Sequence, residues 1–209
     1  MASLSQSLWH RNRVLAEAAL EHLFVQGIAS GELARATFAH YVGQDAVFLD
    51  AFCRAYALGL AKSPDREGLI AFRELVDAAA DELRLHNGYA ARWGVDLRQA
   101  ADPATSAYTD FLLAVAALEP VGHIAAAMTP CMRLYAYLGQ QLAAHTKPDS
   151  PYREWVEAYS STEFEALAQR LEALLDRYGG DDDRPAVLYR RAMELELRFF
   201  DAAARREEP

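Results

Sequence analysis

The feature of this sequence that most constrains its fold is the recurrence of apolar residues every three or four positions along almost the whole chain. This spacing lines one face of an α-helix, whereas a half-buried strand needs strict alternation. No alternating pattern lasts longer than a few residues. The sequence therefore predicts an all-α helical bundle, with helices at roughly 4–26, 31–61, 65–91, 103–117, 121–145, 151–158, 161–178 and 184–205.

Helix start signals recur between these segments. A polar side chain directly before a proline suits the N-cap and the first helical position, and four pairs have this form: Ser63-Pro64, Asp102-Pro103, Thr129-Pro130 and Ser150-Pro151. Ser160 and Glu163 have the spacing of a capping box. The connections are too short for interdomain linkers and show no repeat, so we expect residues 1–209 to form a single domain.

Composition narrows the class of protein. The net charge of −9 argues against nucleic acid or an anionic membrane as the main partner. The N-terminal segment lacks the charged leader and apolar stretch of a signal peptide, and no apolar run reaches membrane-spanning length. Two cysteines, Cys53 and Cys131, are too few for a disulfide scaffold. We expect a soluble cytoplasmic protein with free thiols.

Two carboxylates interrupt helix faces that are otherwise apolar. Asp45 lies in the middle of the stripe within residues 38–52, and Glu196 lies in the middle of the stripe within residues 189–203. Burying an unpaired carboxylate costs several kcal/mol or forces its protonation. Each acid therefore either has a partner on a neighbouring helix or lines a ligand pocket.

Cys131 directly follows Pro130. A free cysteine is often just a small buried hydrophobe, which is our interpretation of Cys53. If Thr129-Pro130 starts a helix, the Cys131 thiol lies in the first turn, where free N–H groups and the dipole favour thiolate. If the helix runs through, the proline kinks it and leaves a carbonyl near residue 126 without its partner. A reactive and a structural thiol both stay open on these residues alone.

Tyrosines accompany these groups. Tyr108, Tyr135 and Tyr159 could each offer a ring and a hydroxyl, although tyrosine is also ordinary core material when its hydroxyl finds a partner. Carboxylates bind ring nitrogens and exocyclic amines, and aromatic faces stack. Two acids, a thiol and several tyrosines together predict a pocket for a flat, nitrogen-rich small molecule.

Four segments of the chain resemble the TenA (thiaminase II) family, in order and spacing along nearly its whole length. They are YVGQDAVFLDAFCRAYA (41–57), AAMTPCMRLYAYLG (126–139), EWVEAYSSTEFEAL (154–167) and MELELRFFDAA (193–203). The resemblance implies an all-α, haem-oxygenase-like fold and a homotetramer without a cofactor or a metal. It also implies hydrolysis of aminopyrimidines to hydroxymethylpyrimidine for thiamine salvage, with thiamine itself cleaved by many members.

The resemblance also implies roles for residues at matching positions. Cys131 would be the nucleophile, which adds to a pyrimidine ring carbon next to a ring nitrogen and gives a covalent intermediate. Glu196 would be the proton donor, and Asp45 would hold the amidine edge of the ring. The other matching positions would line the substrate site: Tyr108, Tyr135, Tyr159, Phe48 and Phe199.

Two positions depart from the family pattern. Phe48 stands where the family commonly has a tyrosine whose hydroxyl helps to activate the cysteine, a loss of about 1 kcal/mol in hydrogen bonding. Arg133 stands where an aromatic residue is frequent. A pyrimidine-binding protein with weak or no catalysis is therefore one alternative function.

A metal-dependent oxidase is the other alternative, because related bundle folds hold haem or two irons. The candidate ligands are Glu82 and His86 with His10, His22 or His123. The paired Glu-x-x-His motifs of di-iron bundles are absent, and the first two are more simply a pair on a helix surface.

Overall fold

The computed structural model of the protein describes residues 2–205, except for the side chains of residues 85–87 and 89. Within that part of the chain every regular element is a helix, so the all-α prediction is confirmed. The helices are α1 Leu4–Arg11, α2 Arg13–Leu20, α3 Leu23–Ser30, α4 Arg35–Lys62, α5 Arg66–Trp93, α6 Pro103–Leu118, α7 Val121–Ala143, α8 Arg153–Ser160, α9 Thr162–Tyr178 and α10 Arg184–Ala204.

The N-terminal segment forms three short helices, and the prediction of one helix over 4–26 is wrong. The first break is at Asn12, between α1 and α2, where the side-chain amide of Asn12 donates to the Leu8 carbonyl at 2.8 Å. The second break is at His22, whose ring nitrogen accepts the backbone N–H of Phe24 at 3.2 Å. Both side chains satisfy backbone groups that a helix end leaves without partners.

The proline-based start signals differ in outcome. Asp102-Pro103 starts α6 as predicted, with the Asp102 carboxylate accepting the N–H of Thr105 at 2.8 Å. Ser63-Pro64 does not start α5, because Ser63 is the C-cap of α4 and Asp65 caps α5 instead. The prediction of a start at Ser63-Pro64 is therefore wrong by two residues.

Near α8 and α9 the predicted caps are also displaced. Ser150 holds a turn, since its hydroxyl accepts the N–H of Tyr152 at 3.2 Å, and α8 begins only at Arg153. The N-cap of α9 is Ser161 rather than Ser160, with its hydroxyl accepting the N–H of Phe164 at 3.1 Å.

Helix α7 runs through Pro130, so Thr129-Pro130 is not a helix start. The Thr129 hydroxyl donates to the Ala125 carbonyl one turn back, at 2.7 Å. Pro130 has no N–H to donate to the Ala126 carbonyl. Of the two geometries predicted for this position, the structure has the one in which the helix continues through Pro130.

The packing brings α4, α7 and α10 into mutual contact at the centre of the protein. Helices α5 and α6 lie along α4, while α8 and α9 lie along α7. Gly139 on α7 allows α8 to approach closely, because a Cβ there would be 2.4 Å from the carbonyl carbon of Tyr159. The backbone that carries Tyr159 is thereby held against α7.

Two further expectations concern the chain as a whole. Cys53 and Cys131 are both free thiols, as predicted. None of the helices within residues 2–205 is both long enough and apolar enough to cross a membrane.

Candidate active site

The two acids and the cysteine lie on the three central helices. Asp45 on α4 is 5% exposed and Glu196 on α10 is 1% exposed, so both carboxylates lie on buried faces as the apolar stripes predict. Cys131 on α7 is partly exposed. Each group comes from a different helix, so the site exists only when these helices pack together.

Glu196 is the centre of a hydrogen-bonded group. The Tyr108 hydroxyl donates to Glu196 Oε1 at 2.7 Å, and the Cys131 thiol donates to the same carboxylate. Burial raises the pKa of Glu196 to about 7, although the hydrogen bonds from Tyr108 and Cys131 lower it and the charge of Asp45 raises it. This acid can therefore both accept and release a proton near neutral pH.

The surroundings of Cys131 favour the protonated thiol. Burial raises its pKa well above the usual value, and the negative charges of Glu196, Asp45 and Glu82 raise it further. Cys131 lies ten positions after Val121, the first residue of α7, so the helix N-terminus is too far away to stabilise a thiolate. A helix start at Pro130 would have favoured a thiolate, but α7 runs through Pro130, so this condition is not met.

Cys131 lines a small cavity of about 20 Å³, which has room for about one water molecule. Its lining combines polar groups with aromatic and aliphatic walls from α4, α5, α7, α8 and α9: Asp45, Phe48, Leu49, Phe52, Glu82, Cys131, Met132, Tyr135, Tyr159 and Phe164. We call this space the inner cavity.

A larger cavity of about 460 Å³ lies beside it and opens to the surface; we call it the outer cavity. Glu82, Tyr159 and Phe164 line both cavities and form the partition between them. The Tyr159 hydroxyl donates to Glu82 Oε1 at 2.7 Å, and the ring of Phe164 packs edge-on against that of Tyr159.

Two of the three tyrosines predicted from the sequence, Tyr135 and Tyr159, line the inner cavity, whereas Tyr108 lines neither cavity and contacts Glu196. Tyr135 packs edge-on against Tyr159, with ring centroids 4.8 Å apart. The Tyr41 hydroxyl donates to that of Tyr135 at 3.3 Å and accepts the indole N–H of Trp155 at 3.2 Å. Trp155 is missing from the sequence-based candidates, although its position four residues before Tyr159 places both rings on one helix face.

The two predicted phenylalanines have different places. Phe48 lines the inner cavity and packs on Phe52, Tyr108 and Phe199, with ring centroids 4.8–6.0 Å apart. Phe199 lies behind Phe48 and against Tyr41, so it supports the cavity wall and does not line the inner cavity. At position 48 the protein therefore offers a ring and no hydroxyl.

Glu82 makes a tertiary contact that the sequence does not reveal. It accepts a hydrogen bond from Tyr159, 77 positions away in sequence. The side chain of its suggested partner, His86, is outside the described residues. Of the other suggested ligands, His22 is paired with Asp201 and His123 with Glu119. The described part of the chain holds no group of three His, Cys, Asp or Glu that could bind a metal.

The chain is an all-α protein with a cysteine and two carboxylates on its three central helices, and its architecture recurs in solved structures. A domain with a haem-oxygenase-like fold from Shewanella denitrificans superposes with a TM-score of 0.76 at 15% identity, covering 96% of this chain and 91% of that one. This likeness confirms the predicted fold. A TenA homologue from Pyrococcus furiosus superposes with a TM-score of 0.89 at 25% identity, covering 95% and 98%.

The sequence comparisons are more specific. The model of the TENA/THI-4/PQQC family matches residues 9–207, and the chain belongs to this family. An aminopyrimidine aminohydrolase from Halalkalibacterium halodurans is 35% identical over 96% of this chain and 95% of its own length. A mitochondrial bifunctional TH2 protein from Arabidopsis thaliana is 33% identical over 86% of this chain, which spans about 34% of that longer protein.

Proposed function

We propose that this protein hydrolyses aminopyrimidines, converting 4-amino-5-aminomethyl-2-methylpyrimidine to its 5-hydroxymethyl counterpart in thiamine salvage, and that it also accepts thiamine. The observation that carries the proposal is that Cys131 and Asp45 line one cavity, while Glu196, which accepts a hydrogen bond from Tyr108, interacts with the Cys131 thiol. The relative from Halalkalibacterium halodurans, which is similar over nearly its full length, is named for this activity.

The chemistry begins with transfer of the thiol proton from Cys131 to Glu196. The sulfur bonds to the pyrimidine ring carbon beside a ring nitrogen, and the ring gains the electron pair. Glu196 passes that proton to the ring nitrogen, and the electron pair of the ring then expels the substituent from the exocyclic carbon, as ammonia from the ammonium form of the aminomethyl compound. Water bonds to that carbon and gives its spare proton to Glu196, which the departing ammonia can carry off as ammonium. The carbon–sulfur bond breaks as the ring nitrogen releases its proton, and that proton restores the thiol. The pKa of Glu196 near 7 suits both proton transfers.

The remaining groups would bind the ring. Asp45 would face the amidine edge of the ring and accept a hydrogen bond from the exocyclic amine, while Tyr135 and Phe48 would contact the ring faces. Tyr108 would hold Glu196 in place, and Tyr159 would border the departing substituent. Phe199 would support Phe48 from behind.

The experiment is a product assay with both pyrimidine substrates. We expect the parent protein to release hydroxymethylpyrimidine and Cys131→Ala to lose at least about a thousandfold in kcat, since the covalent route is then closed. Cys53→Ala is the matched control and keeps its rate. Failure of the parent to act on either compound rejects the function, and an undiminished rate in Cys131→Ala rejects the mechanism. Tight binding without turnover would support the pyrimidine-binding alternative.

We also propose that the protein acts in the cytoplasm as a homotetramer. Exposed apolar side chains support self-association, because Leu118 and Val187, which are 84% and 57% exposed in one chain, line the same surface groove. Sedimentation equilibrium would measure the assembly, and a monomer at micromolar concentration would contradict it.

A further inference from the structure

We propose that Glu82 is a specificity-determining residue, whose carboxylate binds the positively charged substituent of the pyrimidine at the boundary between the two cavities. The inference rests on the proposed function and deepens it. It assigns a role to a carboxylate that ring binding and proton transfer do not use.

The first step of the argument is the size of the inner cavity. A substituted pyrimidine is several times the volume of one water molecule, so a space of about 20 Å³ cannot hold it. Helices α4 and α7 form two of its walls. The remaining wall is the partition of Glu82, Tyr159 and Phe164, with the 460 Å³ outer cavity behind it. Substrate must therefore displace this partition and remain next to it.

The second step is the orientation of the substrate. The ring has to lie beside Cys131, with Asp45 on its amidine edge and Glu196 at hand for proton transfer. Its substituent then extends toward the outer cavity, because that is the open side of the described walls and the route by which a leaving group can depart. Of the acids that line the outer cavity, Glu82 is the one that also lines the inner cavity.

The third step is the charge that Glu82 would meet. The aminomethyl compound carries an ammonium group at neutral pH, and thiamine carries a thiazolium ring. Glu82 borders both cavities and a third one of about 10 Å³, which places its side chain in the interior. A carboxylate paired with a cation in such a partly desolvated place makes a strong, charge-assisted contact.

The side chains that line the outer cavity also suit a cationic or heteroaromatic substituent. Its walls include the aromatic rings of Trp155, Tyr159 and Phe164, which suit a flat heteroaromatic group. The described residues that line it include three acids, Asp81, Glu82 and Glu163, and neither lysine nor arginine. Asp81 has an arginine partner, Arg84, on the exposed rim. The path therefore favours cationic over phosphorylated leaving groups.

The test measures binding separately from chemistry. Calorimetry on the Cys131→Ala protein gives the Kd of the aminomethylpyrimidine, which is cationic, and of the hydroxymethylpyrimidine, which is neutral. The same measurement is made on the double variant Cys131→Ala, Glu82→Gln. The glutamine keeps an oxygen that can accept the hydrogen bond from Tyr159, and it removes the negative charge of Glu82. We expect the cationic ligand to bind at least about tenfold more weakly, and the neutral ligand to change by less than about threefold.

Glu163→Gln is the matched control, since it removes the same charge from an exposed position of the same cavity. Solvent screens that position, so both ligands should keep their Kd within about threefold. Equal losses for both ligands in Glu82→Gln would show a structural role and overturn the inference, as would unchanged binding of the cation. Absence of binding by either pyrimidine, with no turnover by the parent, overturns the proposed function itself.

Discussion

At the scale of single residues, the question is where the proton of Cys131 goes. Its thiol interacts with Glu196, and both groups have a raised pKa, chiefly because they are buried. The three carboxylates near the thiol disfavour a thiolate until positive charge arrives. A cationic substrate would supply that charge, so substrate binding itself would promote the transfer of the proton to Glu196.

Tyr108→Phe tests the proton transfer. The Tyr108 hydroxyl donates to Glu196 and lowers its pKa, so its removal raises that pKa above about 7. Glu196 must be ionised to accept the thiol proton. We expect the acidic limb of the pH profile of kcat/KM to move up by roughly 0.7 pH unit, the equivalent of one hydrogen bond of about 1 kcal/mol.

The control for this variant is Tyr56→Phe. Tyr56 is equally buried, and its hydroxyl has no hydrogen-bond partner among the described residues. Its removal should leave the acidic limb in place. If the limb does not move in Tyr108→Phe either, Glu196 is not the base.

At the scale of helices, the sequence predicts more of the fold than of its breaks. Apolar periodicity locates the long helices and places Asp45 and Glu196 on buried faces, because a helix that packs on a core repeats its buried side every 3.6 residues. Thr129-Pro130 shows the limit. The same pair can cap a helix or lie within one, and the close packing of α7 against its neighbours, among them α8, α9 and α10, outweighs the local cost of the proline.

Glu82 shows the corresponding limit for the site. Its interval of four from His86 looks like a surface pair, and nothing nearby in sequence indicates Tyr159 as its partner. That contact depends on the packing of α5 beside α8 and α9. Helical periodicity does not predict such tertiary contacts. It does reveal directly a carboxylate within an apolar stripe, such as Asp45 or Glu196.

Arg133 joins α7 to α9, and its replacement should destabilise the protein strongly. Its guanidinium makes bidentate hydrogen bonds with Glu165 and Glu172 at 2.7–3.1 Å, and the Arg133 side chain is only 14% exposed. Arg133→Ala would leave two half-buried carboxylates without this partner. We expect the free energy of unfolding to fall by about 3 kcal/mol, measured by urea denaturation.

Arg153→Ala is the control for that variant. Arg153 pairs with Glu157 one turn along α8, and both side chains are about half exposed, so the loss should be below about 1 kcal/mol. Equal losses in the two variants would contradict a buried linkage between α7 and α9.

At the scale of the whole molecule, the site reduces stability. Closing α4, α7 and α10 around Asp45 and Glu196 buries two acids that solvent would hydrate in the unfolded chain. The raised pKa of Glu196 measures part of this cost. The fold must therefore offset a penalty that grows as the pH rises and Glu196 ionises.

Glu196→Gln should accordingly become more stabilising as the pH rises. The folded-state pKa of about 7 lies above the ordinary value of 4.5, so the folded protein binds more protons between these pH values and its stability falls through that window. Glu196→Gln cannot ionise at this position, so it lacks this loss of stability with rising pH. By urea denaturation we expect the two proteins to differ little at pH 5, and the variant to be more stable relative to the parent by about 3 kcal/mol at pH 8.

A control of opposite sign is Glu154→Gln. The hydrogen bonds from Arg92 lower the pKa of Glu154, so its small contribution to stability is present at pH 8 and is lost in acid. This variant should therefore be slightly less stable than the parent at pH 8. A difference between parent and Glu196→Gln that stayed constant from pH 5 to pH 8 would mean that Glu196 does not change its proton occupancy on folding. Its proposed role as a proton carrier near neutral pH would then lose its physical basis.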